Sequence, residues 1–287
     1  MNKKLKNTLH IFGFEFQRFI FYKRWMFVFL ILVVSFFAYL GGSTVLVFTI
    51  NNKVSANIFD AVFNVFGYPD TIFIILIPLF LIFISDIPMT SSFEDLVFIR
   101  VNSRKKWLWN KILLLMVLTV IYILIILFIV FFINSFALPF SNTWSEMAVK
   151  FPERSRINPQ IIVSFSPISA LIRLVALMLL GLLSIGLLTI TASLFFNNAF
   201  LGFFIGTIVS ICGSFAYHDY FPQHFVNFFI TNHMIFNLHS FGIKDPLYPP
   251  YSLSIVYWIV WILLFTLLSL EICKRRDFIP GKSFGGE

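Results

Sequence analysis

Histidine is the residue type in this sequence whose clustering comes nearest to a metal site. Four of the five histidines lie in one stretch between two apolar segments, with Asp219 beside the first: His218, His224, His233 and His239. Imidazole groups bind zinc and copper, but such sites use tight ligand spacings that this stretch lacks. The pattern therefore favours interfacial or surface histidines, and we predict no bound metal.

The motifs of hydrolases and nucleotide-binding enzymes are absent from the sequence. There is no HExxH, no nucleophile elbow and no acid–base pair within an apolar segment. Gly281-Lys282 lacks the upstream glycine of a Walker A loop. The two cysteines, Cys212 and Cys273, supply neither a disulfide framework nor a set of metal ligands. We predict that the chain is not an enzyme by itself and that it binds no cofactor.

The amino-acid composition indicates what kind of structure must hold any functional site in place. Of 287 residues, 59% are hydrophobic and 12% are charged, whereas soluble domains have about 25% charged residues. A soluble globule of this length has too little interior for so much apolar surface, so lipid must cover the excess. We predict an all-α, polytopic membrane protein. The net charge of +8 lies beside apolar segments, which favours anionic lipid and topology signals over nucleic acid.

Six segments are long and apolar enough to be spans of about 20 residues. The predicted spans are 25–50, 71–88, 111–133, 168–196, 198–217 and 251–273. They form a transmembrane domain over residues 25–273, preceded by a helix in 1–24 and followed by a tail in 274–287. The stretches Asn51–Asp70, Asn134–Pro167 and His218–Pro250 are predicted external loops.

Basic residues set the predicted orientation. Most of the 21 Lys and Arg residues fall in the N-terminal segment, in the loop after the second span and in the tail. Six spans put all three on one side, so the positive-inside rule makes both termini cytoplasmic. The abundance of Phe (40 residues), with many Ile, Asn and Lys, suggests a bacterial source and hence the plasma membrane.

The N-terminal segment Leu5–Tyr22 is predicted to be an amphipathic helix in the cytoplasmic interface. Its aromatic residues recur at helical spacing, as Phe12, Phe16 and Phe19, and its polar residues include Gln17 and Arg18. Such a helix lies in the plane of the membrane with its aromatic face in lipid. A basic topogenic leader is the simpler alternative.

The loop between the second and third spans combines a cap, acidic residues, basic residues and tryptophans. Ser91 or Ser92 can cap a short helix whose first turn holds Glu94 and Asp95. The basic residues that follow include Arg100, Arg104 and Lys105. Such an element could dock on a partner, although a positive-inside loop with an aromatic belt has the same composition.

The layout of spans and this loop resembles the ABC type-2 exporter permease family. The resemblance rests on Glu94, then Asn102-Ser103-Arg104, then Lys111 at the start of the third span. The glycine that often follows the acidic residue in that family is replaced here by Leu96-Val97. The motif covers about twenty residues, and the layout covers nearly the whole chain.

The resemblance implies that the loop is a coupling helix, braced by the N-terminal helix, that docks on a separate nucleotide-binding subunit. ATP and Mg would then be bound by that subunit, and a second permease copy, identical or related, would complete the transporter. The family also has short re-entrant helices before the last span, which favours that interpretation of Phe225–Leu238 over a packed external loop.

Small residues line one side of the predicted fifth span: Gly202, Gly206, Ser210 and Gly213. Small residues let helices approach closely, so this side could pack within the protomer or across a dimer. Ionisable residues near the spans, Asp86, Arg173 and Glu271, lie at span ends. Ion-coupled carriers keep such groups inside the membrane, which argues against that class.

The expected function is the permease subunit of an exporter that moves a hydrophobic or amphipathic substrate, such as a peptide, lipid or drug. A non-transporting membrane assembly or immunity protein, which acts by partner binding, is the main alternative. A channel or carrier that uses no ATP is a third. Co-purification with an ATPase would distinguish the first from the other two.

Overall fold

The structure is a computed structural model that describes residues 3–85, 87, 103–218, 220, 228–229, 233–241 and 248–275, with backbone alone for 3–11. Within these ranges the chain is helical and forms no β-strand. The helices are α1 (Lys3–Asn52), α2 (Ile58–Phe66), a π-helical segment (Thr71–Leu76), α3 (Ile77–Ile84), α4 (Arg104–Asn134), α5 (Glu146–Lys150), α6 (Pro152–Ser155), α7 (Pro159–Ser164), α8 (Pro167–Phe196), α9 (Ala199–Tyr217), a 3-10 turn (Phe236–Leu238) and α10 (Tyr251–Arg275).

Among the described residues, five helices are long and apolar enough to cross a membrane: α1 from Phe12 onward, α4, α8, α9 and α10. A sixth candidate is the broken pair formed by α2 and Thr71–Ile84, which bends by 69°. The prediction of an all-α polytopic membrane protein is therefore confirmed. The ends of α8, α9 and α10 lie within two residues of the predicted spans, whereas α4 begins at Arg104 rather than residue 111.

The N-terminal segment and the first span form one helix where the sequence predicted two elements. Helix α1 runs without a break from Lys3 to Asn52, because the stretch contains no proline and its glycines keep helical geometry. At about 1.5 Å per residue it is roughly 75 Å long, far more than the hydrocarbon core of about 30 Å.

The predicted aromatic face of this segment contacts protein rather than lipid. Phe19 is buried, with its ring edge-on to Phe83 at a centroid distance of 5.2 Å. Phe12 and Phe16 are partly buried and pack on the same core. Tertiary contacts with α3 and α4, which helical periodicity does not reveal, decide which side of α1 is covered.

The stretch 51–70, predicted as a loop, contains the buried helix α2. Asn57 caps α2 by accepting from the Phe59 N–H, and Asp60 accepts from the Asn57 N–H in return. Both Phe59 and Phe63 are at most 1% exposed. The nine residues of α2 are too few for a span, so a search for long apolar runs misses them.

The predicted loop 134–167 is also helical in part. Helices α5, α6 and α7 are short, and Ser145 and Asn158 cap α5 and α7 with their side-chain oxygens. Two hydrogen bonds join these helices to the preceding chain. The Ser55 N–H donates to the Glu146 carboxylate at 3.0 Å, and the Asn57 side-chain amide donates to the Thr143 carbonyl at 2.7 Å. They form a cap over one end of the bundle.

The π-helical segment is stabilised by hydroxyl groups from two neighbouring helices. The Tyr122 hydroxyl of α4 donates to the Leu76 carbonyl at 2.6 Å, and the Ser210 hydroxyl of α9 donates to the Phe73 carbonyl at 2.5 Å. A π-helical segment disturbs the regular i to i−4 ladder, and inserted side-chain donors satisfy carbonyls that this leaves available.

We name the two ends of the bundle by their contents. The basic end holds Glu15, Ser85, Arg104 and the last turn of α10, and the far end holds α2, the cap helices and residues 233–241. The described beginning of the chain and the end of α10 both lie at the basic end. The side of the membrane that this end faces remains a prediction.

Candidate functional site

The basic end is built around a buried ion pair between α1 and α4. The Lys111 ammonium lies 3.5 Å from a Glu15 carboxylate oxygen, and the two side chains are 4% and 6% exposed. The same ammonium lies 5.6 Å from the centre of the buried Trp107 ring. Breaking such a pair leaves a buried charge without its counter-ion, which costs far more than loss of an exposed pair.

Sequence reasoning included Lys111 in the family motif but overlooked Glu15. Glu15 is the sole acidic residue in the first 24, a stretch rich in lysine, arginine and phenylalanine. That isolation was an available signal, because an acidic residue on an otherwise aromatic surface needs a cationic partner. The partner lies 96 positions away, and only the fold brings the two together.

A second set of contacts joins α4 to α10. An Arg104 guanidinium nitrogen donates to the Lys274 carbonyl at 2.5 Å, and the Cys273 thiol lies 3.6 Å from the Arg104 carbonyl. The last carbonyls of a helix have no partner within it, so a cation there also meets the negative end of the helix dipole. Arg104 thus fastens the start of α4 to the end of α10.

A third contact ties α1 to the end of α3. The Lys23 ammonium donates to the Ser85 hydroxyl at 3.5 Å, and that hydroxyl donates to the Ile82 carbonyl at 2.9 Å. Four helices, α1, α3, α4 and α10, therefore meet around the two ends of the segment 88–102.

Three of the predicted coupling residues, Glu94, Asp95 and Arg100, lie outside the described residues. Lys105 follows Arg104 in the first turn of α4 and is exposed. Arg18, predicted in the interfacial helix, lies on α1 with its guanidinium 5.5 Å from the Tyr22 ring centre. The predicted coupling residues that are described therefore lie at the basic end.

The small residues of α9 pack within the protomer. A Cβ added at Gly202 would approach the Thr189 carbonyl to 2.5 Å, and one at Gly206 would approach the Thr189 hydroxyl to 2.6 Å. Ser210 bonds the π-helical segment. The sequence left open whether these residues pack within the protomer or across a dimer. In the structure they lie where α9 packs against α8 and the broken span.

The histidines of the last loop separate into different environments. His218 lies 2.9 Å from an Asp70 carboxylate oxygen that also accepts from Ser214 at 3.0 Å. His233 and His239 lie 2.7 Å and 2.8 Å from the Ser254 hydroxyl. His224 lies outside the described residues. No group of three potential metal ligands occurs within the described part of the chain.

The His239–Ser254 pair has a defined direction of hydrogen bonding. His239 Nδ1 lies 2.9 Å from the Ile235 carbonyl, an acceptor, so Nδ1 carries the proton and Nε2 accepts from the Ser254 hydroxyl. That hydroxyl in turn accepts from His233 Nδ1. Burial lowers the pKa of His239 to about 4, and the nearby His233 adds to the effect, so the imidazole is neutral at neutral pH.

The segment before the last span enters the bundle. Met234 is 1% exposed and packs against Gly181 of α8, beside Trp258 of α10. The predicted helix over Phe225–Leu238 is described only in part, and its last three residues form the 3-10 turn.

An apolar groove of about 580 Å³ runs along α1 and α4. Its lining is aliphatic and aromatic, with Ser35 as the sole polar residue among the described lining: Ile31, Ile121, Leu124, Ile125, Phe128, Ile129, Phe132 and Ile133. The groove lies on two spanning helices and can hold a hydrocarbon chain or an apolar helix face.

Comparison with known proteins gives no relative. No protein-family model, no curated protein and no solved structure matches this chain.

Proposed function

We propose that this chain is the membrane-spanning subunit of an ATP-driven exporter of the ABC type-2 kind. The observation that carries the proposal is the meeting of four helices at the ends of the segment 88–102. Ser85, just before this segment, contacts α1, and Arg104, just after it, contacts α10. A partner that binds the segment is thereby placed to act on α1, α3, α4 and α10 together.

The buried Glu15–Lys111 pair supports transmission of that movement. Lys111 lies two turns into α4, and its attachment to α1 makes the beginnings of the two helices move as one body. A buried ion pair is held by geometry as well as by charge. A displacement applied at Arg104 would therefore reach α1 as well as α4.

The chain's own part in export is to carry the substrate, whereas ATP and Mg belong to the partner subunit. The apolar groove along α1 and α4 suits a hydrophobic or amphipathic substrate, such as a peptide, lipid or drug. A second copy, identical or related, would provide the opposite wall of a pathway. This proposal places the protein in a bacterial plasma membrane with both termini in the cytoplasm.

The test is a detergent pull-down of the tagged full-length chain from its native membrane, with identification of whatever accompanies it. We expect a stoichiometric partner with a Walker A motif. The double variant Glu94→Lys/Asp95→Lys should lose that partner. A matched control, Lys53→Glu/Lys150→Glu, reverses two exposed charges at the far end and should retain it.

A chain that repeatedly purifies without an ATPase would overturn the proposal. An ATPase that binds and is stimulated normally by the Glu94→Lys/Asp95→Lys variant would instead show that this segment is not the docking element. Purification with a partner that is not an ATPase would favour the assembly or immunity protein. The organised cap at the far end, with its hydrogen-bonded short helices, is the feature that favours this second candidate.

A further inference from the structure

The far end contains a cavity of about 450 Å³ that none of the preceding functions uses. It lies where α1, α2, α6, the end of α9 and the segment 235–238 come together. Its polar lining side chains include Asn64, Glu153, Arg154, Arg156, Tyr217 and Asn237. It lies at the opposite end of the bundle from Ser85 and Arg104, which flank the predicted docking segment 88–102.

Two guanidinium groups line the cavity. Arg156 lies over the Tyr68 ring at 3.9 Å and Arg154 over the Phe48 ring at 5.9 Å. Among the described residues, neither guanidinium has a carboxylate within 4 Å or donates a hydrogen bond. Glu153 is the sole acidic side chain in the described lining and it is exposed. The lining therefore has an excess of positive charge and free N–H donors.

The backbone beside these arginines is held in place. Arg156 adopts a left-handed conformation with φ of 53°, and its carbonyl accepts from the Asn237 side-chain amide. Gly67 lies against this turn, and a Cβ there would approach the Arg156 carbonyl to 2.7 Å. Such preorganisation reduces the ordering cost of binding a ligand.

Asn237 helps to hold the backbone at Arg156 in place. Because its amide nitrogen donates to the Arg156 carbonyl, its Oδ1 points elsewhere, and this buried oxygen has no hydrogen-bond partner in the described structure. Because this oxygen is buried, Asn237 holds the Arg156 backbone in place and does not itself contact a ligand.

The cavity also reaches the membrane-spanning part of α1. Thr44 and Phe48 form its wall on that helix, and Phe48 packs edge-on against Phe151 at 5.2 Å. A bound anion at the arginines can therefore continue into an apolar chain that lies along α1. Arginine is suited to this role because its planar fork binds phosphate in a bidentate manner.

We propose that this cavity is a binding site for the phosphate headgroup of an anionic amphiphile. Arg154 and Arg156 hold the phosphate. Phosphatidylglycerol has this chemistry, and so does soluble glycerol phosphate without its chains. The proposal does not depend on whether the protein is an exporter.

The test measures binding to the full-length protein in a neutral detergent. The probes are short-chain phosphatidylglycerol below its micellar concentration, the matching phosphatidylcholine, and sn-glycerol 3-phosphate. Arg156→Gln and Arg154→Gln should each weaken phosphatidylglycerol binding by about tenfold or more, since each removes a charge-assisted hydrogen bond. Lys53→Gln, which removes an exposed charge outside the cavity, should leave the affinity unchanged.

Glu153→Gln keeps the test decisive if an arginine variant fails to fold. Glu153 is exposed, and its removal leaves the guanidinium groups unopposed, so phosphatidylglycerol should bind about two to five times more tightly. If phosphatidylglycerol binds and glycerol phosphate does not, the site exists and its ligand is a lipid. If glycerol phosphate binds as well, the site exists and the headgroup is sufficient for binding. Equal affinity for phosphatidylcholine, or an affinity that none of the three cavity variants changes, overturns the proposal.

Discussion

Removal of either member of the Glu15–Lys111 pair should destabilise the protein far more than removal of one member of an exposed ion pair. The groups lie 3.5 Å apart and are at most 6% exposed. At that distance the Coulomb energy is about 5 kcal/mol with an effective dielectric constant of about 20. One Glu15 oxygen has no hydrogen-bond partner among the described residues, so we place the cost of Glu15→Gln at the lower limit for buried pairs, about 3 kcal/mol.

The assay is a double-mutant cycle on the free energy of unfolding. Glu15→Gln, Lys111→Met and the double variant are unfolded by SDS titration from mixed micelles, with tryptophan fluorescence as the signal. Trp107 lies beside Lys111 and reports the local environment. The double variant should cost less than the sum of the single ones by about 2 kcal/mol, because its lost interactions are shared.

A control separates this effect from general loss of charge at the same end. Glu271 is exposed and pairs with Lys274 and Arg275 at 2.9 and 3.0 Å, yet Glu271→Gln should cause no measurable change because solvent screens exposed pairs. Additive costs in the cycle, or a Glu15→Gln variant as stable as Glu271→Gln, would refute the argument that burial makes the Glu15–Lys111 pair important.

Three further predictions concern packing, hydrogen bonding and pH. Gly202→Ala should destabilise the bundle by about 1–3 kcal/mol, because its Cβ meets the Thr189 carbonyl at 2.5 Å; Gly13→Ala, which meets no atom within 4 Å, should be neutral or slightly stabilising in the same SDS titration. Tyr122→Phe should cost about 1–2 kcal/mol, since the Leu76 carbonyl loses its donor, and an unchanged midpoint would contradict this. The pKa of His239 is lowered from 6.5 to about 4 in the folded state, so the stability that its neutral form contributes is complete above pH 6.5 and is lost as the pH falls through 4. The loss approaches about 3 kcal/mol, and His239→Gln should flatten that part of the stability–pH curve.

The spans were the most predictable part of the fold. Their ends at Pro167, Phe196 and Tyr217 follow from local signals, namely a proline in the first helical turn, an Asn197-Asn198 turn and the end of an apolar run. Transfer into lipid depends mainly on the composition of a segment. A segment of about 20 apolar residues therefore reveals itself without knowledge of its neighbours.

The short helices of the far end were not predictable in the same way. Helix α2 is buried on nearly all sides, by α1, the π-helical segment and α4. The cap formed by Asn57 and Asp60 is a local helix signal, but nine residues do not show which elements will bury them. The cap helices were also hard to predict, because their stability comes from hydrogen bonds to distant residues, such as that from Ser55 to Glu146.

The amino-acid sequence alone predicts a multi-pass helical membrane protein and identifies the segments long enough to cross, because hydrophobic transfer is a local property of the chain. Three arrangements became visible in the packed fold alone: Glu15 faces Lys111, the small residues of α9 pack inside the protomer, and Arg154 and Arg156 line one cavity with Asn237. These arrangements join residues far apart in sequence, and their energy comes from distance, burial and direction, which exist only once the helices have packed.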